Sequence, residues 1–254
     1  MFLTFLWLIV AVWLYMSGWF LAAKLKDRTD LIDSAWGLGF IVVAWIAWAL
    51  NGHHQGIKML TAEFVTLWGV RLALHIYLRN RGKPEDHRYM AYRKKWGKAF
   101  WPKAYLNLFM VQGALLLLIS TTTIAVMTAT EGAWLWLTVL GFAIWIVGMV
   151  FEAEADAELV KFVRTKKPGQ IMQDGLWRYS RHPNYFGEIT NWWGVALIAL
   201  SVRQWWGVLG ALVITFLIVK VSGIPPLEKH YADNPAFQKY KRRTSVLIPW
   251  APKK

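Results

Sequence analysis

The residue types best suited to bind an anion are concentrated near position 180. Arg178, Arg181 and His182 directly precede Pro183 in the stretch DGLWRYSRHPNYFGEITNWWG, which begins at Asp174. Proline is favoured at the first position of a helix and forces the residue before it out of the helical conformation. The pattern predicts a helix that begins at Pro183, whose free N–H groups would bind phosphate together with the two guanidinium groups. A basic loop that contacts lipid head groups is the alternative.

The same predicted helix carries polar side chains along one face. Glu188, Asn191 and Trp192 lie four, seven and eight positions after Asn184, which places all four on one side of the helix. Glu188 is therefore a candidate acid one helical turn beyond the anion site. The alternative is that it only caps the helix or forms an ion pair.

The elements that position these residues are predicted to be membrane helices. Hydrophobic residues make up 56% of the 254, and 18 residues are Trp. A spanning helix needs about 20 mostly apolar residues. No signal-peptide cleavage site follows the first apolar run, so we expect it to be retained. The predicted fold class is an all-α integral membrane protein, a single domain with seven transmembrane helices. The seven segments are residues 2–23, 32–50, 60–78, 106–128, 133–152, 183–201 and 205–221.

Charge predicts the orientation. Of the 29 Lys and Arg residues, 26 lie in residues 24–30, 79–103 and 161–181 or from residue 220 onward, in alternate connections between spans. Because positive loops face the cytoplasm, we expect the amino end outside and the carboxyl end in the cytoplasm. Cofactor-binding loops are expected on that side, around residues 79–104, 155–183 and 222–254. A basic face against a bilayer attracts anionic lipid and argues against a nucleic-acid partner.

Several kinds of site are excluded by the sequence. There are no cysteines, so disulfides, thiolate metal sites and a cysteine nucleophile are impossible. No HExxH, GxGxxG or Walker pattern occurs. We therefore predict no metal site, and any nucleotide would be held without a Rossmann domain.

Asp33 is a second candidate acid, near the start of the second predicted span. A carboxylate there is costly unless it is paired or faces a polar cavity, which makes it a candidate site residue. The alternative is a helix cap, since Asp is a preferred cap residue. Trp36 and Gly37, one turn on, would line a pocket or allow close helix packing.

Arg71 lies in the middle of the third predicted span and requires an anionic or carbonyl partner there. With His75 and Arg79 at one-turn intervals it predicts a wall that faces phosphate, and pairing with an acid such as Asp33 is the alternative. The loop that follows would bind ribose or only form surface pairs. Its polar residues include Asn80, Lys83, Glu85, Asp86, Arg88 and Tyr89.

The fifth span is predicted to continue past the bilayer and to end near residue 167, before Pro and Gly. Asp156, Lys161 and Arg164 would then face the same cavity as Arg178, whereas Glu158 is interpreted as solvated. The carboxyl-terminal tail is too polar to span, and it is predicted to be an amphipathic lid at the membrane interface.

These stretches resemble the steroid 5α-reductase superfamily, and most closely its bacterial branch once grouped as a domain of unknown function. The resemblance covers most of the chain from Asp33 onward. It rests on GLWRYSRHPNYFGE, NWWG, RLALHIYLRNRGKPEDHRY and, near the end, Tyr240-Lys241 and Leu247-Ile248-Pro249.

The resemblance implies an NADPH-dependent, monomeric reductase of the bacterial inner membrane. Its reaction would be reduction of the C4–C5 double bond of a 3-oxo-Δ4 steroid or a similar enone lipid. A hydride goes to C5 while an acid polarises the 3-oxo oxygen; Asp33 is the candidate, with Glu188 in reserve. Substrate contacts are assigned to Trp36, Trp68, Tyr185 and Trp192. Cofactor contacts are assigned to Arg71, Arg79, Asn80, Lys83, Asp86, Arg88, Tyr89, Asp156, Lys161, Arg164, Arg178, Tyr179, Arg181, His182, Asn184, Lys220 and Tyr240.

This chain departs from the family at Trp68, at Ile32, where the family has Gln before the acid, and in an arginine-to-asparagine spacing that is one residue longer. Trp68 stands where the family's steroid enzymes place a tyrosine, three residues before Arg71. An indole N–H donates a hydrogen bond but is not a useful acid. The cofactor expectation is affected less by this change than the steroid expectation.

Two alternative functions remain open. The RHPNY core is also shared with isoprenylcysteine and phospholipid methyltransferases, so S-adenosylmethionine-dependent methylation of a lipid or prenyl-type substrate is the first alternative. A non-enzymatic lipid-binding membrane protein is the second. S-adenosylmethionine carries no phosphate, and the many basic residues therefore favour NADPH.

Overall fold

The computed structural model describes residues 1–51, 56–130 and 132–253. Across these residues the chain is helical, without β-strands. The α-helices are α1 Phe2–Leu25, α2 Leu31–Asn51, α3 Gly56–Asn80, α4 His87–Trp96, α5 Phe100–Ala104, α6 Val111–Ile119, α7 Thr121–Thr128, α8 Leu135–Thr165, α9 Pro183–Ser201, α10 Val208–Phe216, α11 Ile224–His230 and α12 Pro235–Arg243.

The chain divides into two compact units. Unit 1 is Met1–Glu131 and contains α1 to α7; unit 2 is Gly132–Lys254 and contains α8 to α12. The expectation of a single domain stays a prediction.

Six helices in the described part of the chain are long and apolar enough to cross a membrane. Five of them coincide wholly or largely with predicted spans. The predicted span 106–128 is wrong at its end, because His87–Ile119 stops nine residues earlier and the helix is interrupted at Ser120, before α7. The remaining predicted span, α9, begins and ends at the predicted residues but is not among the six, because Asn184, Glu188 and Asn191 lower its mean hydropathy. The six are Phe2–Leu25, Leu31–Asn51, Gly56–Asn80, His87–Ile119, Leu135–Thr165 and Trp205–His230.

In unit 1, α2 and α3 approach closely at one pair of glycines. A Cβ atom on Gly37 would lie 2.5 Å from the Gly69 carbonyl oxygen, and one on Gly69 would lie 2.5 Å from the Gly37 carbonyl oxygen. Small residues permit such backbone contact between membrane helices. Of the two predicted roles for Gly37, close helix packing is confirmed, and it fixes the first turn of α2 where Asp33 lies.

In unit 2, α8 and α9 make two close backbone contacts of the same kind, each between a pair of glycines. A Cβ on Gly187 would lie 2.6 Å from the Gly148 carbonyl oxygen, and one on Gly194 would lie 2.7 Å from the Gly141 carbonyl oxygen. Both pairs are seven residues apart, which is about two helical turns, so the contact recurs on one face of each helix. This contact fixes the register in which the polar residues of α9 face α8.

Candidate functional site

In unit 1, a polar cluster forms where the first turn of α2 meets the amino end of α4. One carboxylate oxygen of Asp33 accepts a hydrogen bond of 2.6 Å from the Tyr89 hydroxyl, and the other accepts one of 2.9 Å from the Arg88 guanidinium. The Asp33 side chain is 12% exposed and that of Arg88 is 53% exposed. The cluster therefore joins a buried carboxyl and a buried phenol to a guanidinium that reaches solvent.

Local sequence explains why α4 presents these two side chains. Asp86 precedes the helix, and its carboxylate accepts a hydrogen bond of 2.9 Å from the Arg88 backbone N–H, as an N-cap residue does. It also accepts one of 3.0 Å from Arg88 Nε. Burial raises the pKa of Asp86, but the hydrogen bonds from Arg88 outweigh it and bring the pKa below its ordinary value. The Asp86 charge thereby aligns the Arg88 guanidinium with Asp33.

A second set of ion pairs holds the surrounding loops. Glu85 accepts hydrogen bonds of 2.6 Å from the Thr29 backbone N–H and 2.7 Å from Arg93 Nε, and Arg93 pairs with Asp27 at 2.8 Å. The connection before α2 is thus joined to the connection before α4. The Glu85 side chain is largely buried, so this contact is more than the surface pair that the sequence left open.

The predicted substrate residues of unit 1 lie in an aromatic row. Trp36 packs edge-on against Phe40 at 5.2 Å between ring centroids, and Phe40 packs edge-on against Trp68 at 5.4 Å. Trp36 is half-buried and Trp68 is buried. A substrate contact for either residue stays a prediction.

The other candidate cofactor residues of unit 1 lie on α3 and in the loop that follows it. Arg71 is half-buried in α3, Arg79 Nε donates to the Asn80 side-chain oxygen at 3.2 Å, and the Lys83 carbonyl accepts from Arg28 at 3.0 Å. Their roles toward a cofactor stay predictions.

In unit 2, Arg181 is enclosed by its own chain. Its Nε donates to Glu228 at 2.8 Å, and a terminal nitrogen donates to the carbonyl oxygens of Thr244 at 2.7 Å and Lys241 at 3.1 Å. The side chain is 8% exposed. Glu228 also accepts from Lys241 Nζ at 2.7 Å. The donors of Arg181 are therefore used to hold α11 and the end of α12 against the start of α9.

His182 is neutral rather than cationic in this setting. Burial and the neighbouring Arg181 together lower the pKa of His182 to about 4, although Glu228 opposes the shift. The ring stacks on Tyr185 with 5.5 Å between centroids. The helix begins at Pro183 as predicted, with His182 outside the helical conformation at φ −141°.

Tyr240 also faces inward. Its hydroxyl donates to the carbonyl oxygens of Trp177 and Ser180, and burial raises its pKa. This contact holds α12 against the turn that carries Arg178 and Tyr179. The tail that the sequence predicted as a lid is thus bonded to the rest of unit 2.

The acids at the end of α8 pair with the amides of α9. Asp156 accepts a hydrogen bond of 3.2 Å from Asn184 Nδ2, and Glu152 accepts one of 2.8 Å from Asn191 Nδ2. Glu152, Asp156 and Asn191 are buried. Asp156 thus packs against α9, in the part of the helix interface nearest the predicted anion site. Glu188 on α9 is half-buried, and Trp192 is buried.

The contacts of two acids, Glu158 and Glu228, differ from or lie outside what the sequence predicts. Glu158 was interpreted as solvated, and this was wrong: its carboxylate accepts from the Leu176 backbone N–H at 3.0 Å. A Cβ at Gly175, whose φ is +58°, would collide with the Glu158 carboxylate, so the turn requires glycine. The sequence does not single out Glu228; its signal is a single acid in the segment from Lys220 to the end of α11, which also carries two lysines.

Of Arg178 and Arg181, the two arginines ahead of α9, Arg178 is the one that reaches solvent. Trp177 Nε1 donates to the Ala155 carbonyl at 3.1 Å and holds the turn on α8, while Arg178 itself is exposed. Lys161, Arg164 and Lys220 are exposed elsewhere on unit 2. Arg178 lines a cavity of about 470 Å³ whose other lining residues are Gln173, Asp174, Ala236, Lys239, Tyr240, Arg243, Thr244 and Pro252.

The cavity is rich in cations and poor in anions. Arg178, Lys239 and Arg243 contribute three positive charges, and Asp174 contributes one negative charge. Phosphate esters are recognised by clustered guanidinium and ammonium groups. The donor set therefore fits a phosphorylated ligand better than an uncharged one.

Comparisons with known proteins point to a consistent group of relatives. The chain is 33% identical over 115 residues to 3-oxo-5-alpha-steroid 4-dehydrogenase 1 of Rattus norvegicus, which is 43% of this chain and 40% of that protein. It is 32% identical over 115 residues to the Homo sapiens protein of that name, covering 44% and 40%. It is 33% identical over 73 residues, 28% of each chain, to a steroid 5-alpha-reductase of Arabidopsis thaliana.

The matched stretch therefore spans about 40% of the length of the mammalian relatives. No solved structure matches the chain. Residues 19–244 match the model of a family described as "Protein of unknown function (DUF1295)". Because that model covers most of the chain, the protein belongs to the DUF1295 family.

Proposed function

We propose that this protein is a multi-pass membrane oxidoreductase that uses NADPH to reduce the C4–C5 double bond of a 3-oxo-Δ4 steroid or a similar enone lipid. The observation that carries the proposal is its similarity to 3-oxo-5-alpha-steroid 4-dehydrogenases of mammals. The buried Asp33–Tyr89 pair and the basic cavity around Arg178 support it independently.

The Asp33 cluster supplies the polarising group in this proposal. Hydride addition at C5 of an enone moves negative charge onto the carbonyl oxygen, and a donor aimed at that oxygen lowers the barrier. Both oxygens of Asp33 already accept hydrogen bonds, and Tyr89 carries the proton of the shorter one. We therefore assign the donor role to the Asp33–Tyr89 pair: the Tyr89 hydroxyl exchanges its hydrogen bond to Asp33 for one to the substrate oxygen, while Arg88 remains paired with Asp33.

The cavity lined by Arg178, Lys239 and Arg243 is the proposed site for the phosphates of NADPH. When bound, NADPH would supply the hydride. Arg178 can turn its guanidinium toward a ligand because it is exposed, whereas Arg181 already donates to Glu228 and two carbonyl groups. Direct phosphate contact is therefore assigned to Arg178, with Arg181 holding the surrounding backbone.

We also propose that α9 crosses the membrane as a seventh span, with the amino end of the chain outside. Its buried glycines and its amide–carboxylate contacts with α8 support this, because polar side chains paired within the protein are tolerated in a membrane segment. Fusion of a reporter that matures only in the cytoplasm to the carboxyl end should be active. Activity of a periplasm-specific reporter at that end would contradict the orientation.

A thermal-shift titration of the purified protein with NADPH and with S-adenosylmethionine tests the cofactor. We expect stabilisation by NADPH, since a ligand that binds only the folded state raises its stability. NADH is the matched control, because it lacks one phosphate. Stabilisation by S-adenosylmethionine alone would contradict the reductase, and stabilisation by none of them would favour a non-enzymatic protein. Oxidation of NADPH in the presence of a 3-oxo-Δ4 steroid then tests the reaction.

A further inference from the structure

Residues 244–250 of unit 2 form a strap held in one conformation. It follows α12 and is bonded to the turn before α9, so its backbone has little freedom to move. Besides Thr244, whose carbonyl accepts from the Arg181 side chain, three hydrogen bonds hold it: Arg181 N–H to the Ser245 carbonyl at 2.8 Å, Ser180 Oγ to the Leu247 carbonyl at 2.7 Å, and Trp250 N–H to the Tyr179 carbonyl at 3.0 Å.

The strap presents apolar side chains outward at every second position. Val246 is 43% exposed, Ile248 is 65% exposed and Trp250 is 73% exposed, while Thr244 is buried. Exposed apolar area is unfavourable in water. Because the backbone is bonded on its other side, these side chains cannot turn inward together. Something apolar in the surroundings must cover them.

The helix that leads into the strap is strongly basic. The sequence of α12, PAFQKYKRR, contains four basic residues and no acidic one. Lys241 pairs with Glu228, whereas Arg242 is exposed and does not line the cavity of Arg178. A cationic helix beside outward apolar side chains is complementary to an anionic lipid surface.

The length of α8 gives the depth of the strap. Its 31 residues make it about 46 Å long, whereas the hydrocarbon core of a bilayer is about 30 Å thick. A span that begins at Leu135 leaves the hydrocarbon about 20 residues later, near the Asp156–Asn184 contact. The strap is bonded to Tyr179 and Arg181, just ahead of Asn184. It therefore lies at the level of the head groups, where tryptophan is enriched in membrane proteins.

We propose that the strap is a fixed membrane-interface anchor: Val246, Ile248 and Trp250 insert into an anionic lipid surface, and Arg242 of α12 binds its head groups. In contrast to a lid, the anchor stays in place whether or not a ligand is bound. It holds the turn that carries Arg178 at a constant depth.

The natural absence of cysteine makes the proposal directly testable. Ile248→Cys in the full chain gives a single attachment point for an environment-sensitive nitrobenzoxadiazole label. In lipid nanodiscs that contain phosphatidylglycerol, we expect blue-shifted emission, quenching by phospholipids brominated on the acyl chain, and protection from iodide. Asp233→Cys, an exposed position in the turn before α12, is the matched control and should show the reverse quenching pattern.

Reversal of one charge on α12 provides a second test of the proposal. Arg242→Glu should reduce bromolipid quenching of the Ile248 label in phosphatidylglycerol nanodiscs and leave it unchanged in pure phosphatidylcholine. Iodide quenching of the Ile248 label equal to that of the Asp233 label would overturn the proposal. Protection from both quenchers would also overturn it, because the strap would then be covered by protein, such as a second copy of the chain.

Discussion

The Asp33 and Arg181 clusters in the described part of the chain contain the same kinds of side chain but use them differently. In unit 1, the Arg88 guanidinium bridges Asp33 and Asp86 while half of its side chain reaches solvent. In unit 2, the Arg181 guanidinium is buried and donates to Glu228 and two backbone carbonyls. An arginine whose donors are satisfied by its own chain holds structure together, and one with donors facing outward can bind a ligand.

The difference also shows that a sequence motif alone does not distinguish a structural arginine from a ligand-binding one. Arg178 and Arg181 are three residues apart, and the sequence assigned both to phosphate binding. The structure gives one an exposed position at a cavity and gives the other internal partners. Single substitutions should separate the residues that stabilise the fold from those that bind the cofactor or take part in catalysis.

The largest expected effect is that of Arg181→Ala on stability. Removal of one partner of a buried ion pair leaves the other charge buried, which typically costs about 3–5 kcal/mol. Because Glu228 keeps Lys241 as a partner, we expect the lower end of this range. Thermal or denaturant unfolding in detergent measures the effect, with Arg178→Ala as the control that should unfold like the unmodified protein. Equal stability of the two variants would remove the distinction between the two arginines.

The next effect concerns catalysis by the unit 1 cluster. Asp33→Asn and Tyr89→Phe should bind NADPH normally but turn over a 3-oxo-Δ4 steroid at least roughly 10²-fold more slowly, the usual scale for a general acid. Single-turnover NADPH oxidation at saturating cofactor is the measurement. Glu188→Gln is the matched comparison, since Glu188 is the reserve candidate. Unchanged rates for the first two variants, with a collapse for Glu188→Gln, would transfer the role to Glu188.

Arg178→Ala is expected to act on cofactor affinity. Loss of a charge-assisted hydrogen bond to phosphate should weaken NADPH binding by about 1.5–3 kcal/mol. Isothermal titration of the variant with NADPH checks this, and Arg242→Ala, at an exposed arginine outside the cavity, is the control. If Arg178→Ala binds NADPH as tightly as the control does, the phosphate site lies elsewhere.

The smallest effect is a pH dependence of stability from His182. Its folded-state pKa of about 4 is below the ordinary 6.5, so the unfolded chain binds a proton that the folded chain does not as pH falls through this range. The folded state therefore loses stability between pH 6.5 and 4, and about 1 kcal/mol is expected between pH 7.5 and 5.5. His182→Gln should show a smaller loss over the same interval. An identical pH profile for both proteins would contradict the assignment.

Local patterns predicted the helices well. The start of α9 at Pro183 followed from proline chemistry alone, and the end of α8 near residue 167 followed from the Pro–Gly pair. Asp33 was correctly identified as a carboxyl that needs partners. These features depend on residues close in sequence or on a charge in an apolar segment, and both are visible without a structure.

Long-range pairing was not predictable in the same way. Glu228 is 47 positions from Arg181, and no periodicity connects them. The sequence places Tyr89 with the cofactor residues of its loop. It does not predict that the Tyr89 hydroxyl donates to Asp33, 56 positions away. Glu158 was read as solvated because the turn that folds back onto it has no helical or strand period.

The glycine contacts between α8 and α9 have a consequence for how the chain enters a membrane. Taken alone, α9 is too polar to partition into lipid, whereas α8 is among the most apolar helices of the chain. A groove of Gly141 and Gly148 on α8, beside the Glu152 carboxylate, offers α9 a surface that matches its glycines and its Asn191. We therefore expect insertion to be ordered, with α8 entering the bilayer first and serving as the template on which α9 is admitted.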